Sequence, residues 1–510
     1  MFRKLILVLL LLPLATYAQF RNNNWVFGDS IGVNFDNGIS FFKSGSGFLR
    51  CTSNISDFNG QIIFHGATVN STSYHNSPIQ NGKLFNSANQ KLFNGDTLVG
   101  SGWYHDMLII PKSVTDSTFY VFVAGVTYPD TGLWVNIVDM KLQGGLGQVV
   151  QKNFRMETHP VQDMLAAVKH GNGKDWWLVT RRWTYAPITA PNEFWVYLVD
   201  SIGIHPHPIQ NVGASHFDSG GDISFNSDGS MFACAGFSSY LALFNFDRCT
   251  GVVSNENIIE PMSQPPNLFK FYSSAIFSPD NTKLYVLSNQ ISYNLNSKLY
   301  QFDLTSANIP NSRLLLDTFP LEASPAGMEL APDGKIYISC VYDGPGSGFP
   351  YPSTCWNYIN TNLSVINQPD SLGLACDFQP FSFYLGGART YYGLPNNPNY
   401  ELGAWVGSPC DTLSTGLTPN PSPGERGAWM QAWYNPEWDM IHVNASKLQG
   451  KKGVLRLLDI EGRIVFEKPA EVVSGGYFTT EIYMNDLSSG VYVVHLVTDR
   501  ETMSFKVGKL

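Results

Sequence analysis

Apolar and polar positions alternate along this chain in short runs, and the same polar reversal keeps interrupting them. The recurring unit is an apolar strand, a tight turn containing Asp, Asn or Gly, and a second strand rich in aromatics. Its clearest copies are ISFNSDGSMFACAG (223–236), AIFSPDNTKLYVLS (275–288) and MELAPDGKIYIS (328–339). Their turn aspartates, Asp228, Asp280 and Asp333, stand 52 and 53 residues apart. Looser copies occupy 163–180, 106–123 and 56–66. A third strand ending in a polar turn follows several of them, as in GLWVNIVDM (132–140), EFWVYLVDS (193–201), YLALFNFDR (240–248) and KLYQFDLTS (298–306).

The turn chemistry is local: Pro presets φ, Asp bonds its own backbone, and Gly supplies the reversal. Six hairpins at a period of about 55 residues, each followed by one or two further strands, predict four-stranded blades arranged radially, a β-propeller. A sandwich array would space its repeats near ~100 residues. Strands at 25–35 and 39–42 lack a hairpin of their own, and TYYGLPNNPNY (390–400) reads as an orphan inner strand and turn. Pairing the chain's two ends would complete a seventh blade and cover the open edges. Seven blades are expected, with six and eight the alternatives.

Composition agrees with an all-β protein. Aromatics match charged residues at 14% each, and Gly, Asn and Ser fill the space that charge leaves. The opening MFRKLILVLLLLPLATYAQ has basic Arg3 and Lys4, a short apolar run and a small residue, Ala18, before Gln19. Residues 1–18 are therefore expected to be a secretory signal peptide. No later run is long and apolar enough to span a bilayer, so no transmembrane segment is expected. The net charge of −9 argues against a nucleic-acid partner, which needs a basic surface. Seven cysteines in an exported chain allow three disulfides. Local pairings are expected, Cys234 with Cys249 and others among Cys340, Cys355 and Cys376.

Ordered phrases through residues 24–404, among them NNWVFGDSIGVNF, GLWVNIVDMKLQGGLGQVV, LAAVKHGNGKDWWLVT, AGMELAPDGKIYIS and YYGLPNNPNY, carry a resemblance. The body resembles a secreted propeller family found as modules of cell-surface and gliding-associated proteins of bacteria that use type IX secretion. The resemblance implies export and supplies no catalytic residues.

A Pro-, Ser- and Gly-rich stretch, 407–433, reads as a linker between a propeller (19–406) and a small β-sandwich (434–510). In that last domain, Asp459-Ile460-Glu461-Gly462-Arg463, the run Leu487-Ser488-Ser489-Gly490-Val491-Tyr492, and the basic end with Lys506 and Lys509 resemble the type A sorting domain of type IX cargo. That resemblance implies the type IX translocon as partner, and a location at the outer-membrane surface or outside the cell.

The hairpin alignment nominates positions at the channel mouth. Six residues before the turn aspartates lie Asp222, Ser274 and Gly327, with Asp106 and Asp163 in the looser copies and Glu329 on the face of Gly327. These carboxylates, with His105, would line a ligand site for a polysaccharide or a surface protein. No cofactor is expected, and Ca²⁺ is the cation such an acidic ring would take. The competing readings are a polysaccharide hydrolase or lyase using Asp106, Asp163, Asp222 and Glu329, and a structural surface component without a pocket. His159 and His216 precede two more strand starts, while His205-Pro206-His207 reads as an outer loop. Exposed aromatics for stacking on sugars are expected at Trp103-Tyr104, Trp183 with Tyr185, and Trp356 with Tyr358. No zinc-protease or phosphate-loop motif is present.

Overall fold

The computed structural model describes residues 21–36, 38–44, 49–69, 82–100, 105–112, 117–126, 130–183, 192–215, 220–262, 270–290, 296–342, 355–390, 393–411, 429–435, 439–446, 448–459, 463–472, 476, 478–485, 487–500 and 502–509. They form two units. One runs to Gly403 apart from Gly171–Gly173; the other is Ala404–Leu510 with Gly171–Gly173.

The first unit contains seven antiparallel sheets among its described residues. Blade 1 is β1 (Asn24–Phe27), β2 (Ile31–Asn34) and β3 (Ser40–Lys43). Blade 2 is β4 (Leu49–Ser56), β5 (Ile62–Val69) and β6 (Lys83–Asn86). Blade 3 is β7 (Met107–Pro111), β8 (Thr118–Gly125), β9 (Gly132–Asp139) and β10 (Gln148–Glu157). Blade 4 is β11 (Ala166–Lys169), β12 (Trp176–Arg181), β13 (Glu193–Val199), β14 (Ile204–Pro206) and β15 (Gln210–Asn211). Blade 5 is β16 (Gly221–Phe225), β17 (Met231–Gly236), β18 (Leu241–Asp247) and β19 (Val252–Glu260). Blade 6 is β20 (Lys270–Phe277), β21 (Lys283–Gln290), β22 (Lys298–Asp303) and β23 (Leu314–Thr318). Blade 7 is β24 (Ala323–Leu330), β25 (Ile336–Tyr342), β26 (Asn362–Ile366) and β27 (Phe378–Tyr384).

The first strands of successive blades touch one another in order, from β1 through β4, β7, β11, β16 and β20 to β24, and so line a central channel. The ring closes where the two ends of the propeller meet. Asp29 donates its N–H to the Arg389 carbonyl at 2.9 Å. Pro395 bridges Thr52 of β4, and Gly327 of β24 lies against Gly393 and Leu394. Trp25, Phe35, Tyr337 and Phe383 interlock between blades 7 and 1, with Trp25 and Tyr337 5.7 Å apart edge to face. The closure is not the pairing expected: blade 1 consists of β1, β2 and β3 alone, and the described residues 393–400 form no strand but bridge β4 at Pro395, with Tyr391 and Tyr392 outside the described residues.

Second strands are sandwiched between neighbouring blades, which explains their unbroken apolar runs: all six residues of β12 are buried. Outer strands face solvent, and β10 and β19 carry register shifts that spoil a flat, pairable edge. The three clearest hairpins turn by one device. Asp228, Asp280 and Asp333 each accept a backbone N–H two residues on, from Ser230, Thr282 and Lys335. The residue after each, Gly229, Asn281 or Gly334, takes positive φ.

Three expectations need correcting. His205-Pro206-His207 is not an outer loop throughout, because His205 and Pro206 belong to β14, which pairs with β13; an edge strand tolerates the missing proline N–H. The cysteines do not pair locally: Cys249 and Cys410 are disulfide-bonded, while Cys51, Cys234, Cys340, Cys355 and Cys376 remain thiols. Cys234 sits opposite Ala242 in β18, so Cys249 lies seven residues farther along, roughly 20 Å at strand rise, beyond disulfide reach. Lastly, the stretch read as linker to 433 ends in a strand, β28 (Trp429–Asn435).

The second unit packs two sheets. One is β28, β29 (Met440–Ser446) and β32 (Phe478–Tyr483); the other is β30 (Lys452–Leu458), β31 (Ile464–Glu471), β33 (Gly490–Thr498) and β34 (Thr502–Lys509). Ile441, Val443, Leu455, Leu457, Ile482, Val494 and Leu496 are fully buried in its core. The motif around residues 487–492 is a self-bonded corner: Leu487 donates its N–H to the Met484 carbonyl at 2.8 Å, and the Tyr492 hydroxyl donates to the Ser488 carbonyl at 2.6 Å. Gly490 opens β33 opposite Lys509, and Lys506 pairs with Val493. Lys509 Nζ reaches Asp439 at 2.7 Å and the Met484 carbonyl at 2.8 Å. Gly462 lies outside the described residues.

Candidate functional site

The propeller's channel holds a cavity of about 580 Å³. Inner-strand residues of blades 3 to 7 and the closing segment 396–402 line it, together with Asn22, Asn23, Phe35, Asp36 and His105. Of the five carboxylate and imidazole positions nominated above, His105, Asp222 and Glu329 line it.

Asp106 and Asp163 are instead absorbed by the fold. They are 0% and 2% exposed. Asp106 Oδ1 accepts the Thr68 hydroxyl at 2.8 Å, and Asp163 Oδ1 accepts the His105 backbone N–H at 2.9 Å. The adjacent Cys51 thiol is pushed well up by burial and by the negative charges of Asp106 and Asp163, so it is an inert core group.

Asp222 lies between these two conditions. Its Oδ2 accepts the Ser274 hydroxyl at 2.9 Å and the Ala275 N–H at 3.0 Å. Ser274 Oγ in turn accepts the Met328 N–H at 3.2 Å. One chain of bonds therefore runs through the equivalent positions of blades 5, 6 and 7. On its other side, Asp222 Oδ1 is 3.7 Å from His105 Nδ1, which also lies 3.2 Å from the Gly221 carbonyl.

The side chain of Glu329, one position beyond Met328 on β24, shows no hydrogen bond among the described residues. It is partly exposed, and it lines the cavity. Burial pushes its carboxyl well above the ordinary range, and the charge of Asp222 pushes it further.

The closing segment is a strap of asparagines. Asn396 Nδ2 donates to the carbonyls of Met107 and Leu165 at 3.1 and 3.0 Å, tying blades 3 and 4 together. Asn397 Oδ1 accepts the Asn54 N–H at 2.9 Å, and the Tyr400 hydroxyl donates to the Ile109 carbonyl at 2.8 Å. Glu401 Oε1 accepts the Arg21 N–H at 3.0 Å. Burial raises the Glu401 carboxyl to about 7, and burial lowers the nearby Lys169 ammonium to about 8. Sequence reading reached this strap only as a strand and turn. The signal for its role was the run Asn396-Asn397-Pro398-Asn399, which offers more side-chain amides than a turn consumes.

Among the described residues no three His, Cys, Asp or Glu side chains gather to hold a metal ion. His159 pairs with Glu157 at 3.0 Å away from the cavity lining; His216, Trp103, Tyr104 and Tyr185 lie outside the described residues. Trp356 and Tyr358 are exposed, with Arg389 stacked on Trp356.

Residues 431–508 match the family described as the secretion system C-terminal sorting domain. No curated protein matches the chain. Among solved structures, a protein from Lactobacillus plantarum is 11% identical, covering 73% of this chain and 98% of its own, with a TM-score of 0.45. A quinonprotein alcohol dehydrogenase-like protein from Bacteroides thetaiotaomicron is 9% identical over 73% of this chain and 77% of its own, with a TM-score of 0.38. PorZ of Porphyromonas gingivalis, a surface component of the type IX secretion system, is 10% identical over 96% of this chain and 99% of its own, with a TM-score of 0.24. The propeller assignment rests on the seven sheets themselves. The tail marks the chain as type IX secretion cargo, exported to the cell surface or the extracellular space. No helix among the described residues is long and apolar enough to cross a membrane.

Proposed function

We propose that this exported propeller is a binding protein whose channel cavity takes a saccharide. The cavity itself carries the reading. Its volume falls within the range of about 300–1,000 Å³ typical of small-ligand sites. Its walls mix amides (Asn22, Asn226, Asn399) and hydroxyls with the rings of Phe35 and Phe225, the pairing of hydrogen-bond groups and apolar faces that a sugar ring presents in return. The burial and bonding of Asp106 and Asp163 weigh against the hydrolase or lyase reading that employed them. The cavity weighs against a purely structural component.

Calorimetry of the full exported chain against a panel of oligosaccharides tests the reading, with Ser227→Trp as the blocked form. Ser227 is exposed and lines the cavity, so the added indole fills the mouth without entering the core. Binding by wild type that Ser227→Trp abolishes supports the site. Equal binding by both forms, or by neither, overturns it.

A further inference from the structure

The cavity's charge is one-sided. Asp36, Asp222, Glu329 and Glu401 line it, and among the described residues no lysine or arginine does. The carboxylates are not equivalent. Asp222 is held by Ser274 and Ala275, and Glu401 is held by Arg21 with Lys169 nearby. Glu329 has no donor among the described residues, and Asp222, the charge that most perturbs it, is of its own sign. A carboxyl that faces a cavity with no donor and with a like charge acting on it is costly to ionise, and what relieves it is a ligand that brings both N–H groups and positive charge.

We propose that the cavity selects a saccharide bearing a primary ammonium group, an amino sugar that is not N-acetylated, with Glu329 as its counter-ion. The proposal rests on the saccharide reading above and narrows it. An ammonium suits a single open carboxylate, whereas a hard divalent cation requires about six to eight oxygens, and no such ligand set is gathered among the described residues. A uronate would place a further negative charge beside Asp222 and Glu329, so acidic polysaccharides are excluded by repulsion. An N-acetylated sugar has the same ring and hydroxyls but carries no charge for Glu329 to meet.

The groups facing Glu329 also fix the proton accounting. Asp222 lies on β16, and His105, Asp36 and Glu401 line the same cavity. Glu329 holds its proton to higher pH than an ordinary carboxyl, so ammonium binding ionises it and releases that proton.

The test is calorimetry on the full chain with glucosamine tetrasaccharide, its fully N-acetylated counterpart, a galacturonate tetrasaccharide and Nα-acetyl-lysine amide. Each is run on wild type and on Glu329→Gln, in two buffers of different ionisation enthalpy. We expect the amino form to bind wild type at least tenfold tighter than the acetylated form, with proton release and with no galacturonate binding. In Glu329→Gln the tenfold preference and the proton release disappear, while the acetylated form binds within about twofold of wild type. Equal affinity of wild type for the amino and acetylated forms overturns the ammonium assignment and leaves the saccharide site standing. A preference that survives in Glu329→Gln overturns the role of Glu329. Binding of the lysine amide with no saccharide bound overturns the saccharide reading, and no binding at all overturns both.

Discussion

Two sets of carboxylates sit on or beside the inner strands, and they meet opposite fates. Where β7 and β11 begin, Asp106 and Asp163 are buried and accept bonds from Thr68 and from the His105 backbone. Along β16 and β24, Asp222 is only partly committed and Glu329 is left open to the cavity. What separates them is the number of donors that neighbouring strands supply. The first set uses its charge to knit blades together; the second keeps charge available for something that enters.

The sharpest way to break this comparison is Asp163→Ala. It strips the acceptor from a buried N–H, and we expect a loss of about 2–3 kcal/mol, read as a lower melting temperature of the propeller. A variant that melts like wild type would erase the distinction between the two sets. Asp222→Ala should cost less, about 1 kcal/mol, because water in the cavity can replace part of what Ser274 and Ala275 lose. A cost equal to that of Asp163→Ala would place Asp222 with the structural set.

Glu329→Gln should cost nothing and reverse the sign. Folding raises this carboxyl's pKa, so its contribution to stability is whole below the unfolded value, near 4.5, and is lost as pH climbs toward the folded value. Melting curves of wild type and Glu329→Gln should therefore coincide at about pH 4, and the variant should be the more stable at higher pH. A variant less stable at neutral pH would show that the carboxylate is structurally paired.

Glu401→Gln should show the same sign with a smaller effect, because the Arg21 N–H and Lys169 partly offset its burial. Its window opens near 4.5 and closes at about 7. A stability difference that kept growing well past neutrality would contradict the assignment.

Much of the fold was legible in sequence because its determinants are local. Alternation marks the strands, and the Asp turns at 228, 280 and 333 bond only to residues two positions away. Strand β28 was missed because a Pro- and Gly-rich run precedes it and masks the pattern of Trp429, Met430, Ala432 and Trp433. The site was only half legible. Position along the repeat nominated four carboxylates, of which Asp222 and Glu329 line the cavity, and which are engaged depends on donors such as Thr68 and Ser274, 38 and 52 residues distant. The linkage of Cys249 with Cys410 is long-range in the same sense and left no local trace.

The asparagine strap gives the cavity a place in time. Residues 395–401 join blades made some 340 residues earlier in the chain: Asn397 bonds Asn54, and Pro395 bridges Thr52. A chain cut short of the strap could form most of its blades yet would have no finished pocket. The pocket therefore certifies completion of the ring. A ligand seated between strap and blades acts as a second clasp: at a hundred times its dissociation constant it would hold the ring shut by about 2.7 kcal/mol more. It would oppose unzipping from the propeller's two ends, where the closed ring has its seam.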